Sequence, residues 1–115
     1  MRRGEVRLVD LDPVRGSEAN KRRPAIIVSN DTANSVAERL GRGVITVVPI
    51  TSNTGRVYPF QVFLPPDASG LRVQSKAQAE RVRSVSVERL GPALGMLPPS
   101  IINAIDDALR LHLAL

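Results

Sequence analysis

Helical periodicity appears once with conviction in these 115 residues, in the C-terminal tail, and nearly everything before it comes in strand-length apolar runs. Ile101, Ile105, Leu109 and Leu113 recur every four residues with Ile102 beside them. Asp106, Asp107 and Arg110 take the other side, which predicts an amphipathic helix. Pro98, Pro99 and Ser100 suit its start. Ahead of it, Glu5–Leu11, Pro24–Ser29, Gly43–Ile50 and Val57–Leu64 read as strands, with two more inside Leu71–Ala79 and Arg81–Val85. Asp12 and Pro13 end the first strand, because proline has no N–H for a ladder. Val14–Arg23 and Thr51–Arg56 are polar loops, and Pro65–Gly70 is a turn cluster. Asn30, Asp31 and Thr32 are N-cap residue types and open a short helix over Asn30–Leu40. Glu88–Gly91 reads as one helical turn or a plain turn. The expected fold is one α+β domain over residues 1–115, mainly β, with a small antiparallel or mixed sheet and a helix packed on it.

Composition narrows the chemistry. A chain of this length buries roughly two-thirds of its unfolded surface, enough for its own core. The absence of cysteine excludes a disulfide framework, a thiolate zinc site and a cysteine nucleophile. His112 is the only histidine, which excludes a two-histidine acid–base pair and a His-rich metal site. No apolar stretch nears the ~20 residues of a membrane span. Met1-Arg2-Arg3 resembles a signal-peptide start, but Glu5, Asp10 and Asp12 interrupt the required apolar run. The chain reads as cytoplasmic and free of cofactor and metal. Its net charge of +5 is uneven: residues 1–56 hold ten basic and six acidic groups, residues 57–115 six and five. That bias suits a polyanion. Fourteen of the 16 cations are arginine, whose planar fork matches phosphate.

Three polar segments interrupt the strands: 14–23, 51–56 and 78–84. The first holds Arg15, Ser17, Glu18, Asn20, Lys21, Arg22 and Arg23. The second offers Thr51, Ser52, Asn53, Thr54 and Arg56, with Tyr58 at its edge. The third contains Gln78 and Arg81. Two readings stand for each segment: a solvated surface loop, or one wall of a phosphate-binding groove. Spacing does not decide whether they meet. Asp10 and Asp12 are read as structural hydrogen-bonding groups rather than a metal pair, and His112 as a packing or interface residue. Phe60 and Phe63 are expected in the core, while Tyr58 is a candidate for stacking on a base.

The strings Arg3-Gly4-Glu5-Val6 and Val9-Asp10-Leu11-Asp12-Pro13 are followed by Gly16-Ser17-Glu18, Arg23-Pro24-Ala25 and Val28-Ser29-Asn30. Val48-Pro49-Ile50-Thr51-Ser52 and Tyr58-Pro59-Phe60-Gln61-Val62 come next. Together they resemble the MazF/PemK family of toxins from MazE–MazF toxin–antitoxin pairs, over nearly the whole chain. The resemblance implies a homodimeric, SH3-like barrel with a short internal helix and a C-terminal helix. It implies sequence-specific, metal-independent cleavage of single-stranded RNA. It also implies inhibition by a small antitoxin whose acidic tail lies over the RNA groove. Arg23, before the proline of the RP motif, and Thr51, closing P-x-T, match the family's catalytic positions; Glu18 matches the glutamate of GSE. Arg15, Ser17, Asn20, Lys21, Arg22, Ser52, Asn53, Thr54, Arg56, Tyr58, Gln78 and Arg81 are the positions that would line the RNA path. Many relatives carry glutamine where this chain has Arg81.

Cleavage of that kind uses the ribose 2′-OH as nucleophile and leaves a 2′,3′-cyclic phosphate and a 5′-OH. It needs a base, an acid and donors for the charge developing on phosphorus. Arg23 suits the donor role and Thr51 adds a hydroxyl. The base is either Arg23 or Glu18, and Glu18 is read as an orienting group. The rival readings are a CcdB-like, non-catalytic binder of DNA gyrase and a catalytically silent RNA-binding module. The Arg23/Thr51 pattern and the non-aromatic end His112-Leu113-Ala114-Leu115 weigh against the gyrase binder.

Overall fold

The computed structural model describes residues 1–11 and 22–115. Strands β1 (Glu5–Asp10) and β2 (Arg22–Ile27) are followed by α1 (Asp31–Leu40), β3 (Val44–Thr51) and β4 (Gln61–Leu64). Then come α2 (Pro66–Ser69), β5 (Ser75–Gln78), β6 (Arg83–Ser86), β7 (Leu90–Met96) and α3 (Pro99–Leu113). Short 3-10 turns occupy Ala79–Arg81 and Val87–Arg89. The strands pair antiparallel in the order β4-β5-β3-β2-β1-β7, with β6 added beside β3. The mainly β fold with an internal and a C-terminal helix is the one expected. The sheet does not close into a complete barrel, since among the described residues it ends at β4 and β7.

The central strands are buried on both faces, which is why Pro24–Ser29 and Gly43–Ile50 read as apolar runs rather than alternations. Ile26, Val48 and Ile50 face a core shared with Val6, Leu64, Leu97 and Ile105 of α3. Ala25, Ile27 and Val47 face a second core with Val9, Ile45, Val85 and Ala37 of α1. Each fully buried Ile, Leu or Val contributes about 1.5–3 kcal/mol relative to exposure. Helix α1 begins where Asn30 accepts a hydrogen bond from the Ala33 N–H at 2.8 Å, a cap worth about 1 kcal/mol. Gly70 ends α2 at φ +76 with its backbone against Leu94 of β7, where any Cβ would strike the Leu94 carbonyl oxygen.

Several elements depart from the sequence expectation for identifiable reasons. β2 starts at Arg22, because pairing with β1 extends the strand past Pro24 into the basic residues. Residues 57–60 lie outside β4. β7 had no counterpart in the sequence reading: its segment, LGPALGM, is diluted by two glycines and a proline. As an edge strand it tolerates Pro92, which owes no ladder bond on its open side. Phe63, expected in the core, is 41% exposed, since Val62 and Leu64 take the inward positions of β4. Phe60 is half-buried and stacks on Tyr58 instead. In α3, Ile105 and Ala108 are buried while Leu113 and His112 are exposed, so His112 does not pack.

Candidate nucleic-acid groove

Strands β2 and β3 bring the two central residues together. Ala25 pairs with Pro49 and Ile26 with Val48, and that register, continued two residues beyond the last pair, would bring Arg23 opposite Thr51. Directly opposed side chains of an antiparallel pair leave the sheet on one face, about 4.5–5.5 Å apart at Cβ. Both residues line an open depression of about 440 Å³ and its neighbour of about 320 Å³. Leu11, Pro49 and Ile50 form the floor of the first, and Asn53, Gln78, Arg81 and Arg83 complete its wall. Ser52, Leu71, Arg72, Val73 and Ser75 border the second, with Pro24.

The far side of β3 explains how Arg81 arrives there. Val44–Val47 pair with β6 and Ile50–Thr51 with β5, so one side of β3 has two successive partners. Between them the chain leaves the ladder as the turn Ala79–Arg81. Pro49 has no N–H to lend to a neighbour at that point. The resulting bulge turns Arg81 into the groove.

Among the described residues, the charge in the groove has one sign. Arg23, Arg81 and Arg83 line the first depression and Arg72 the second, and among the described residues no carboxylate lines either. Among the described residues none of these four arginines forms an ion pair. Such guanidinium groups present paired donors to phosphate oxygens. The Thr51 hydroxyl oxygen accepts from the Asn53 N–H at 3.2 Å, and Asn53 in turn accepts from the Gly55 N–H at 3.4 Å. A hydroxyl that accepts in this way keeps its own hydrogen to donate.

The sequence-derived residues divide accordingly. Arg23, Thr51, Ser52, Asn53, Gln78 and Arg81 share the groove. Arg22 lies opposite Asp10 and reaches toward Gly91, on the other side of the sheet from Arg23. Thr54, Arg56 and Tyr58 do not line either depression. Tyr58 already carries Phe60 stacked at 5.4 Å, with the Arg56 guanidinium 5.0 Å and Lys76 Nζ 5.8 Å from its ring centre. Arg15, Ser17, Glu18, Asn20, Lys21 and Asp12 lie outside the described residues. Asp10 Oδ1, expected to be hydrogen-bonded, is buried with no partner among the described residues. Arg72, Arg83 and Lys76 were missed. Arg83 opposes Val47, a pairing between distant strands that no local pattern encodes. No group of three or more His, Asp or Glu that would hold a metal occurs among the described residues, and no described helix is long and apolar enough to cross a membrane.

Known proteins share both the sequence and this architecture. The family model for PemK-like, MazF-like toxins of type II toxin–antitoxin systems matches residues 2–113. The endoribonuclease MazF9 of Mycobacterium tuberculosis is 59% identical over 115 residues, all of this chain and 98% of that protein. Endoribonuclease MazF of Staphylococcus epidermidis is 33% identical over 116 residues, covering 100% of this chain and 92% of its own. A mycobacterial endoribonuclease solved with its cognate antitoxin superposes with a TM-score of 0.78 at 28% identity, over 100% of this chain and 96% of that one. The chain therefore belongs to the PemK-like, MazF-like toxins of type II toxin–antitoxin systems.

Proposed function

We propose that this chain is the toxin of a type II toxin–antitoxin pair and acts as a cytoplasmic endoribonuclease on single-stranded RNA. The observation that carries the reading is that Arg23 and Thr51 share one groove with Arg81 and Arg83. The RNA backbone runs along the groove with its scissile phosphate between Arg23 and Thr51. The ribose 2′-oxygen attacks phosphorus and gives up its proton, and the 5′-oxygen leaves and gains one. A 2′,3′-cyclic phosphate and a 5′-OH result. Arg23 donates to the non-bridging oxygens as negative charge builds, and the Thr51 hydroxyl adds a further donor. Glu18 orients the arginines or takes the 2′-OH proton. Ser52, Asn53 and Gln78 offer hydroxyl and amide groups to base edges, the readout that single-stranded RNA permits.

The protein acts as a homodimer, held in check by a MazE-type antitoxin whose acidic tail occupies the same arginine-lined groove. Purified protein incubated with a long RNA in excess EDTA tests the activity. Discrete cuts with 5′-OH ends, lost in Arg23→Ala, are expected. Intact RNA with folded protein would refute the nuclease reading and favour a binding-only toxin.

A further inference from the structure

Lys76 occupies an unusual place for a lysine. It sits in β5, opposite Thr51 on one side and Phe63 on the other, and is only 7% exposed. Lysines are almost never so buried without a partner. Among the described residues this one forms no ion pair. Its ammonium donates to the Arg56 carbonyl oxygen at 2.6 Å and lies 5.8 Å from the centre of the Tyr58 ring. Removing an ammonium from water for a neutral acceptor and a ring face costs free energy that an apolar side chain would not. Packing alone therefore does not explain lysine here.

What Lys76 holds is the returning end of the loop that starts at Thr51. A second device grips the same stretch: the Tyr58 N–H donates to Gln61 Oε1 at 3.1 Å, and Gln61 Nε2 donates to Glu80 Oε2 at 2.6 Å. Glu80 lies in the turn that carries Arg81. One carbonyl and one N–H of the returning loop are thus tied by side chains to β4, β5 and the turn after it. At its outgoing end, the loop places Ser52 and Asn53 in the groove.

Resting on the ribonuclease reading, we propose that Lys76 is a positioning residue that clamps the 52–58 loop and so fixes which RNA bases the groove accepts. It touches no substrate and acts through the Arg56 carbonyl. Lys76→Met keeps the length and apolar stem and deletes the donor. Hydrogen–deuterium exchange should then quicken about tenfold across residues 52–58, with a melting temperature equal to or above wild type. On a random RNA pool, cleavage should spread over more sequences, with kcat/KM at the preferred site falling about tenfold. Lys76→Arg should restore part of that preference, and Lys76→Gln, too short to reach, serves if the methionine variant fails to fold.

Unchanged exchange in a folded variant would overturn the clamp. Faster exchange with unchanged base preference would overturn the specificity role. Wild-type protein that cuts no RNA would overturn the nuclease reading beneath it, and exchange in the same samples would still decide whether Lys76 holds the loop.

Discussion

The cations in two regions of the molecule are used in opposite ways. Around the N-terminus and α3 most are paired: Arg3 with Asp106 at 2.6 Å, Arg7 with Glu5 at 2.6 Å, and the Met1 amino group with Glu38 at 2.8 Å. The Arg3 side chain also donates to the Val28 carbonyl, and its backbone N–H donates to Asp31 Oδ1. In the groove, Arg23, Arg72, Arg81 and Arg83 have no carboxylate partner among the described residues. Arginines that serve the fold are neutralised by it, and arginines left without an acid are available to an external anion.

The contrast is sharpest at Arg23. Arg23→Ala should lower the cleavage rate by about 10²–10³ or more, as expected for removal of a preorganised donor, and shift stability by no more than about 0.5 kcal/mol. Equal losses of activity and of melting temperature would place Arg23 with the structural cations. Thr51→Val, which keeps the β-branched shape, should cost about 10² in rate with binding retained, read as kcat falling and KM holding.

Next in size are the flanking cations. Arg81→Ala and Arg83→Ala should each weaken RNA binding several-fold and reduce the slope of log K against log salt by about 0.7. A slope equal to wild type in both would mean that neither meets a phosphate. In the paired region, Arg3→Ala should cost about 1 kcal/mol of stability, since Asp106 is left partly buried, and leave cleavage untouched.

Acid acts most weakly, through two carboxylates of the paired region. The Arg3 N–H holds the Asp31 carboxyl below its ordinary value, and the amino terminus does the same for Glu38. A carboxyl with a lowered folded-state pKa stabilises the fold above its unfolded value and loses that contribution as pH falls through the folded one. Both are exposed, so the urea midpoint should fall slightly below pH ~4.5. In Asp31→Asn/Glu38→Gln protein that added fall should be smaller. An identical acid response would show that these two contacts are idle.

Most of the fold was legible where side chains alternate or cluster by type. Ile101–Leu109 announced α3, and Asn30 announced the start of α1 through its capping amide. β7 was invisible because Gly91, Pro92 and Gly95 carry no strand signal, and its existence depends on β1 needing a partner. Arg23 and Thr51 were found through Arg-Pro and Pro-x-Thr motifs, but their opposition was not, because register between β2 and β3 is set by which faces bury Ala25–Ile27 and Val47–Ile50. Arg83 and Lys76 escaped for a related reason. A buried lysine and an exposed one look alike in sequence, and only the Arg56 carbonyl distinguishes them.

Mounting Arg23 and Thr51 on neighbouring strands has an evolutionary corollary. Insertion of one residue within 24–26 or 48–50 would shift the register and turn one partner to the wrong face, which under the proposed mechanism would end cleavage. An insertion within 53–55 would leave the pair untouched and change only what flanks it. If the proposed roles hold, descendants of such a toxin could change the RNAs they cut by editing a loop, while the Arg23/Thr51 pair is inherited as a fixed unit of the sheet.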